Sequence, residues 1–338
     1  MNASRQQIQD ILGDDSRENL ESLAQQAAAL TRQYFGRAVG LYTPLYLSNH
    51  CSSHCVYCGF HSHHKIERIK LTPAQIDAEM QAIASTGVRN ILLLTGESPG
   101  ATPLDYLKES VTLAKKYFQG IALEVYPMEE QDYHALYKAG VDGVTIYQET
   151  YDRLRYAEVH LGGQKKDYDF RRGAPERLVR AGMRQVSLGI LLGLGPLAGD
   201  LHDLYSHLKE LETEFPGVEY SLSFPRLRTI NAKTFAGIPV DDITFVKILC
   251  LTRLLFPRVG INLSTRESAA FRNRALGLSI TRISVGSKTS VGGYKDPNEA
   301  GAPQFDIADE RSTADTIAYL KANGFDPVFT DWRRIENS

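Results

Sequence analysis

The sequence predicts an α/β fold, a (β/α)8 TIM-type barrel with an N-terminal helical cap and a C-terminal extension. Three observations lead there. From about residue 38, short apolar runs alternate with longer amphipathic ones, the pattern of βα units with parallel strands. Eight such runs can be counted, and the span from 38 to about 290 is close to the roughly 250 residues such a barrel needs. The chemically distinctive residues stand just after the runs, at the carboxyl-end rim where barrels of this class carry their sites.

Taken in order, residues 1–37 read as the cap, with Leu20, Leu23, Ala27 and Leu30 at helical spacing within 4–36. The strands follow as AVGLYTPLYL (38–47), NILLLT (90–95), IALEVYP (121–127), DGVTIYQ (142–148), RQVSLGILLG (184–193), VEYSLSF (218–224), GINLST (260–265) and ITRISVG (280–286). Between the first two, Thr72-Pro73-Ala74-Gln75 reads as a capping box with Pro at the first helical position, and Gly87 as the stop. The barrel is expected over 38–290. Residues 291–338 form an extension that packs on it, with a helix at 312–322 and a short strand near PVFTDW. Neither a low-complexity segment nor a linker divides the barrel.

Composition excludes several classes of function. The 338 residues are 43% hydrophobic and 23% charged, as in soluble globular proteins. With 38 Lys plus Arg against 40 Asp plus Glu, no basic field suits nucleic acid or a membrane surface, so a small-molecule partner is expected. The amino terminus lacks the apolar core of a signal peptide, and no run approaches the roughly 18 apolar residues of a membrane span. A cytoplasmic location is expected. Four cysteines in so long a chain do not make a disulfide scaffold.

Three of them stand together in CSSHCVYCGF, which sets Cys51, Cys55 and Cys58 at Cys-x3-Cys-x2-Cys spacing. Three thiolates satisfy three irons of a four-iron cluster and leave one iron open to an exogenous ligand, whereas electron-transfer clusters are held by four cysteines. His61, His63 and His64 follow, so a structural Cys3His zinc site is the competing reading. The loop's place at a barrel mouth favours the cluster, because structural zinc sites are small closed modules that fold around their metal. The histidines then read as a solvated, partly cationic loop. Cys250, in VKILCLTRLLF, reads as a buried helix residue.

With Tyr57 just before its third cysteine, the loop resembles the signature of the radical S-adenosylmethionine (SAM) enzymes. LYTPLYLSNHC, VYCGF, LLLTGE, GVTIYQETY, FPRLR, LSTRES and SKTSVGGY, in order through most of the chain, resemble the 2-iminoacetate synthases, tyrosine lyases of thiazole biosynthesis. The related hydrogenase-maturation tyrosine lyases carry an extra cluster on carboxyl-terminal cysteines, and no cysteine follows Cys250 here. Biotin synthase, with its second cluster, is disfavoured by the same count.

The resemblance implies a 4Fe-4S cluster on Cys51, Cys55 and Cys58, with SAM chelated at the open iron. By the family's motifs, Glu97 would take the SAM ammonium and Arg171 its carboxylate, with Glu149 near the ribose and Tyr57 against the adenine. Arg266, with Ser264, matches the family's site for the substrate carboxylate, which a planar guanidinium can grip through two parallel hydrogen bonds. Arg226 and Arg228 are expected to line the same cavity. The competing readings make Arg171 part of a solvated helix face with Asp167, Asp169 and Arg172, and pair Arg266 with Glu267 on the surface.

The implied reaction takes a hydrogen from the amino group of L-tyrosine by a 5'-deoxyadenosyl radical derived from SAM, then breaks the Cα–Cβ bond. It yields 2-iminoacetate (dehydroglycine) and p-cresol beside 5'-deoxyadenosine and methionine. A flavodoxin- or ferredoxin-type electron donor and a thiazole synthase partner are implied as well. Two other functions stay open: a related lyase acting on tryptophan, and a zinc-stabilised binding protein without catalysis.

Overall fold

Eight parallel strands close into a barrel in a computed structural model of the chain, described over residues 3–227, 237–330 and 332. They are β1 (Ala38–Ser48), β2 (Asn90–Thr95), β3 (Gly120–Glu124), β4 (Gly143–Glu149), β5 (Gln185–Ile190), β6 (Glu219–Ser223), β7 (Gly260–Leu263) and β8 (Arg282–Ser284). Pairing of β2 with β1 and of β8 with β1 completes the ring. A ninth strand, β9 (Asp326–Val328), pairs in parallel with Ala38, Val39 and Gly40 at the start of β1.

Each of the eight barrel strands falls on one of the apolar runs, but several are shorter than the run. The run at 184–193 contracts to Gln185–Ile190, because Leu191 and Leu192 leave the ladder to bond Glu149 and Pro225 at the rim. Apolar residues at a barrel mouth thus prolong the sequence signal beyond the strand.

The two faces of the strands differ in kind. In β3, Ile121 and Leu123 are buried in the apolar core, while Gly120, Ala122 and Glu124 alternate with them on the other face. Barrels of this class fill the lumen with layers of bulky branched side chains. Here Ala122, Thr145, Ser187, Ser221 and Asn262 stand there instead, lining a cavity toward the strands' amino ends that Trp332 also borders. A second cavity of about 970 Å³ opens at the mouth, and Tyr42, Leu92 and Tyr147 line both.

Local signals set the helices. Thr72 Oγ1 accepts from the Gln75 amide at 3.4 Å and the Gln75 side chain accepts from the Thr72 amide at 2.9 Å, so the capping box forms, with Pro73 opening the helix Pro73–Ser85. The N-terminal cap region holds two helices, Arg5–Gly13 and Arg17–Phe35, and the longer packs on the helix Asp242–Leu255. There the buried Arg253 bonds Thr31 and the carbonyls of Val259 and Ser279. Cys250 is buried on the same helix, as expected, and burial pushes its thiol up to about 12. The helix Thr313–Ala322, capped by Ser312, leads into β9. Among the described residues no helix is long and apolar enough to cross a membrane.

Candidate active site

The cysteine loop leaves β1 after a register shift between Tyr46 and Ser48, and backbone contacts hold it in place. Arg68 donates to the carbonyls of Asn49, Phe60 and His61 at 2.7–2.8 Å, so one guanidinium ties both ends of the loop. Ser52 bonds the Glu97 carbonyl through its amide at 2.9 Å and its hydroxyl at 2.8 Å, fastening the loop to the end of β2. Two glycines permit this approach. A Cβ at Gly96 would lie 2.3 Å from the His50 carbonyl oxygen, and one at Gly163, whose φ is +76°, would lie 2.5 Å from that of Ser52.

Cys55 is buried and Cys51 and Cys58 half-buried. Burial raises all three thiols, and Lys165 pulls Cys55 and Cys58 the other way. Cys58 Sγ also accepts from the Phe60 amide at 3.4 Å. Among the described residues no group of three or more His, Cys, Asp or Glu side chains is already gathered around a single metal position. Soft thiolates beside a cation and an amide donor fit an iron–sulfur cluster of net negative charge. The histidines pack on one another instead, with ring centroids 3.6 Å apart for His61 and His64 and 4.0 Å for His54 and His63. Burial and neighbouring imidazoles push His61 down to about 4, which corrects the expectation of a cationic loop at that residue.

Beside the loop lies a network of four charges. Glu97 follows β2, Glu149 ends β4, and Lys165 and Arg171 come from the segment after it. Arg171 Nη2 bonds Glu97 Oε1 and its Nη1 bonds the Tyr147 carbonyl at 3.0 Å. Lys165 Nζ lies 2.6 Å from Glu149 Oε1 and 3.5 Å from Glu97 Oε1. Burial works against the charge on Glu97, Lys165 and Arg171, yet their opposite neighbours win: Glu97 is held below the usual carboxylate range and both cations above theirs. Arg171 is only 3% exposed, so the solvated-face reading fails for it. It holds for Asp169, which pairs with Arg153 on the surface.

This network is incomplete in one informative way. Glu97 Oε2 and Arg171 Nε are buried with no hydrogen-bond partner among the described residues, leaving one spare acceptor and one spare donor. Glu149 is held at φ +71°, beside a register shift between β4 and β5, so a bulge aims its carboxylate at the cavity. Lys165 escaped the sequence reading, although Gly162-Gly163 just before it marked a tight turn against the cysteine loop. His160 escaped it too. Its Nδ1 faces the Tyr156 carbonyl at 2.9 Å, so Nε2 accepts from the Tyr57 hydroxyl at 2.8 Å. Burial, with Lys165 and Arg171, pushes the imidazole down to about 2 and keeps it neutral.

The same cavity takes Ser264 and Arg266, just beyond β7, in its lining. Arg266 is half-buried over the ring of Phe305, 3.6 Å from its centroid, and donates to the Arg226 carbonyl at 3.1 Å. Its Nε has no partner among the described residues, and burial lowers its hold on the proton. The competing surface pair with Glu267 is not formed among the described residues. Glu267 is buried and bonds Arg226, with Nε 3.1 and 3.0 Å from its two oxygens. Arg226 also meets Asp242 at 2.8 Å, so its charge is spent on the scaffold rather than in the cavity. Arg228 lies outside the described residues. Glu124, at the end of β3, was also missed. It lines the cavity, and burial, then repulsion from Glu149, raises its carboxyl to about 7.

Two family models match the chain. The radical SAM superfamily covers residues 45–208, and the biotin and thiamin synthesis associated domain covers 223–326. The 2-iminoacetate synthase of Escherichia coli K12 is 41% identical over 314 residues, covering 93% of this chain and 83% of the relative. That of Salmonella typhimurium is 38% identical over 330 residues, covering 97% and 87%. Among solved structures, the FeFe-hydrogenase maturase HydG from Carboxydothermus hydrogenoformans superposes with a TM-score of 0.90 at 31% identity, covering 97% of this chain and 76% of that one.

Proposed function

Because the chain belongs to the 2-iminoacetate synthase family of radical SAM enzymes, we propose that it cleaves the Cα–Cβ bond of L-tyrosine to 2-iminoacetate and p-cresol. Cys51, Cys55 and Cys58 would hold the 4Fe-4S cluster. When bound, the cluster and SAM supply a carbon-centred radical that removes one hydrogen atom from the substrate, fed by a low-potential electron donor of the flavodoxin or ferredoxin type.

The chain's own residues bind and orient. Glu97 offers its free Oε2 to the SAM ammonium and Arg171 its free Nε to the SAM carboxylate, with Glu149 toward the ribose and Tyr57 toward the adenine. Arg171 and Lys165 keep Glu97 ionised. The observation that carries the substrate assignment is Arg266: a guanidinium lining the cavity with a free Nε and no carboxylate partner among the described residues. An unpaired half-buried cation is costly, and a substrate carboxylate would complete it. Ser264 stands beside it. Between the two walls the tyrosine amino group would lie in reach of the radical, with bulk water excluded from a hydrolysable imine.

That imine calls for a consumer, and a thiazole synthase is the proposed protein partner. The same reading divides the chain into a cap (1–37), the barrel (38–290) and an extension packed on it (291–338), supported by the pairing of β9 with β1. A cytoplasmic location suits reduced thiols and an oxygen-labile cluster. The test is an anaerobic assay of the reconstituted, reduced enzyme. Tyrosine should give p-cresol and glyoxylate, the hydrolysis product of the imine, and tryptophan should give little. Turnover of tryptophan with tyrosine untouched would replace this reading by the tryptophan-lyase one.

A further inference from the structure

The segment after Gly301 crosses from the substrate wall to the cysteine loop, and one side chain spans the gap. Gln304 Nε2 donates to Cys58 Sγ at 3.7 Å, within range for a sulfur acceptor, while its Oε1 accepts from the Tyr46 hydroxyl at 2.8 Å. Tyr46 is only 4% exposed. With its hydroxyl committed to Oε1, the amide is oriented and its N–H turned to the thiol. The backbone is fixed as well: the Gln304 amide bonds the Thr289 carbonyl at 2.9 Å, and Thr289 Oγ1 bonds the Phe305 carbonyl at 2.6 Å. Farther along, Ala308 and Asp309 bond the Thr265 carbonyl, and Asp309 is buried against Arg272 and Arg311.

So many constraints on one glutamine exceed what packing needs. A hydrogen bond to a cluster sulfur draws off negative charge, which favours the reduced and more anionic cluster and raises its potential. We infer that Gln304 is a positioning residue for the cluster: its side-chain N–H on Cys58, oriented by Tyr46, sets the ease with which the cluster is reduced. Gln304 needs no contact with SAM or substrate to do so. The inference rests on the cluster at Cys58 and is independent of which amino acid is cleaved.

EPR-monitored redox titration of the reconstituted enzyme, without substrate, tests it. Gln304→Glu keeps the shape and an acceptor for Tyr46 but faces the thiolate with an acceptor, and Gln304→Leu removes the amide altogether. With iron content per chain at the wild-type level, both should be harder to reduce. The expected change is roughly a tenfold fall in the reduced-to-oxidised ratio at a fixed donor potential, or about 59 mV for a one-electron couple, larger for Glu than for Leu. Tyr46→Phe should move the same way by less. Unchanged potentials in both Gln304 variants with intact clusters would reduce the residue to packing and overturn the inference. Wild-type enzyme carrying 15N in its glutamine amides gives a reading that variant folding cannot confound. A weak 15N coupling to the reduced cluster is expected in pulsed EPR, and its absence would overturn the inference equally.

Discussion

The two walls of the mouth cavity handle charge in opposite ways. On the side of the cysteine loop, Glu149 and Lys165 line the cavity with Glu97 and Arg171 behind them, and the four balance one another and leave one free acceptor and one free donor. On the far side Arg266 is a cation with no carboxylate partner among the described residues, laid on an aromatic ring. A self-neutralised wall is suited to a ligand that carries both signs, such as the amino and carboxylate ends of SAM, because it can lend a partner to each without a net change in charge. A bare cation calls for an anion. The difference teaches that one cavity can treat two amino-acid ends differently: the side of the cysteine loop answers both charges of its ligand, whereas Arg266 answers a carboxylate alone.

The largest effect should come from the centre on which both walls depend. Replacing Cys51, Cys55 or Cys58 with Ala should remove most iron and all SAM cleavage, as read by metal analysis and 5'-deoxyadenosine formation; full clusters in all three variants would break the comparison at its base. Next comes Arg266→Ala. Losing one partner of a desolvated charge pair costs roughly 2–5 kcal/mol, so kcat/KM for tyrosine should fall about 30-fold or more. Glu97→Gln or Arg171→Ala should keep the iron and weaken SAM by roughly 10- to 100-fold, the worth of one charged hydrogen bond. An unperturbed EPR response of the reduced cluster to SAM in both would show that the network is structural only.

The outer half of this architecture was legible in the sequence because it follows from repeated apolar burial. Ile121 and Leu123 alternate with small residues, and eight such runs define a ring. The cysteine spacing and the positions of Glu97 and Arg266 after strands were legible for a similar reason, being local. The missed residues owe their roles to distant partners. Lys165 matters because two strands deliver carboxylates to it, and His160 because the cysteine loop brings Tyr57 against it. The competing pair Arg266-Glu267 rested on adjacency alone, and it does not form because successive residues beyond a strand turn apart and Glu267 finds Arg226 instead. Nor does an apolar run reveal that its inner face is small and polar, so the hollow lumen was unseen.

A smaller effect separates the walls by pH. Glu124 lies between them, and burial raises its carboxyl from an ordinary 4.5 to about 7. The folded state therefore binds this proton more tightly than the unfolded chain, so the contribution is full below about 4.5 and is lost as pH rises through about 7. Glu124→Gln should cancel that loss and gain stability relative to wild type at pH 8, on the order of 1–3 kcal/mol. Chemical denaturation at pH 5 and pH 8 reads this, and an identical difference at both would refute it. Smallest of all, Cys250→Ala should leave iron content and SAM cleavage unchanged, at a packing cost of about 1 kcal/mol.

The most direct measurement asks whether the walls can be separated in one preparation. Arg266→Lys keeps the charge and loses the planar fork. In the reduced, cluster-loaded variant, SAM binding and the EPR signal should match wild type, while tyrosine binds weakly and 5'-deoxyadenosine accumulates without matching p-cresol. If SAM affinity falls together with tyrosine affinity, or if p-cresol still matches 5'-deoxyadenosine at wild-type tyrosine affinity, the division of the cavity into a zwitterion wall and an anion wall is contradicted.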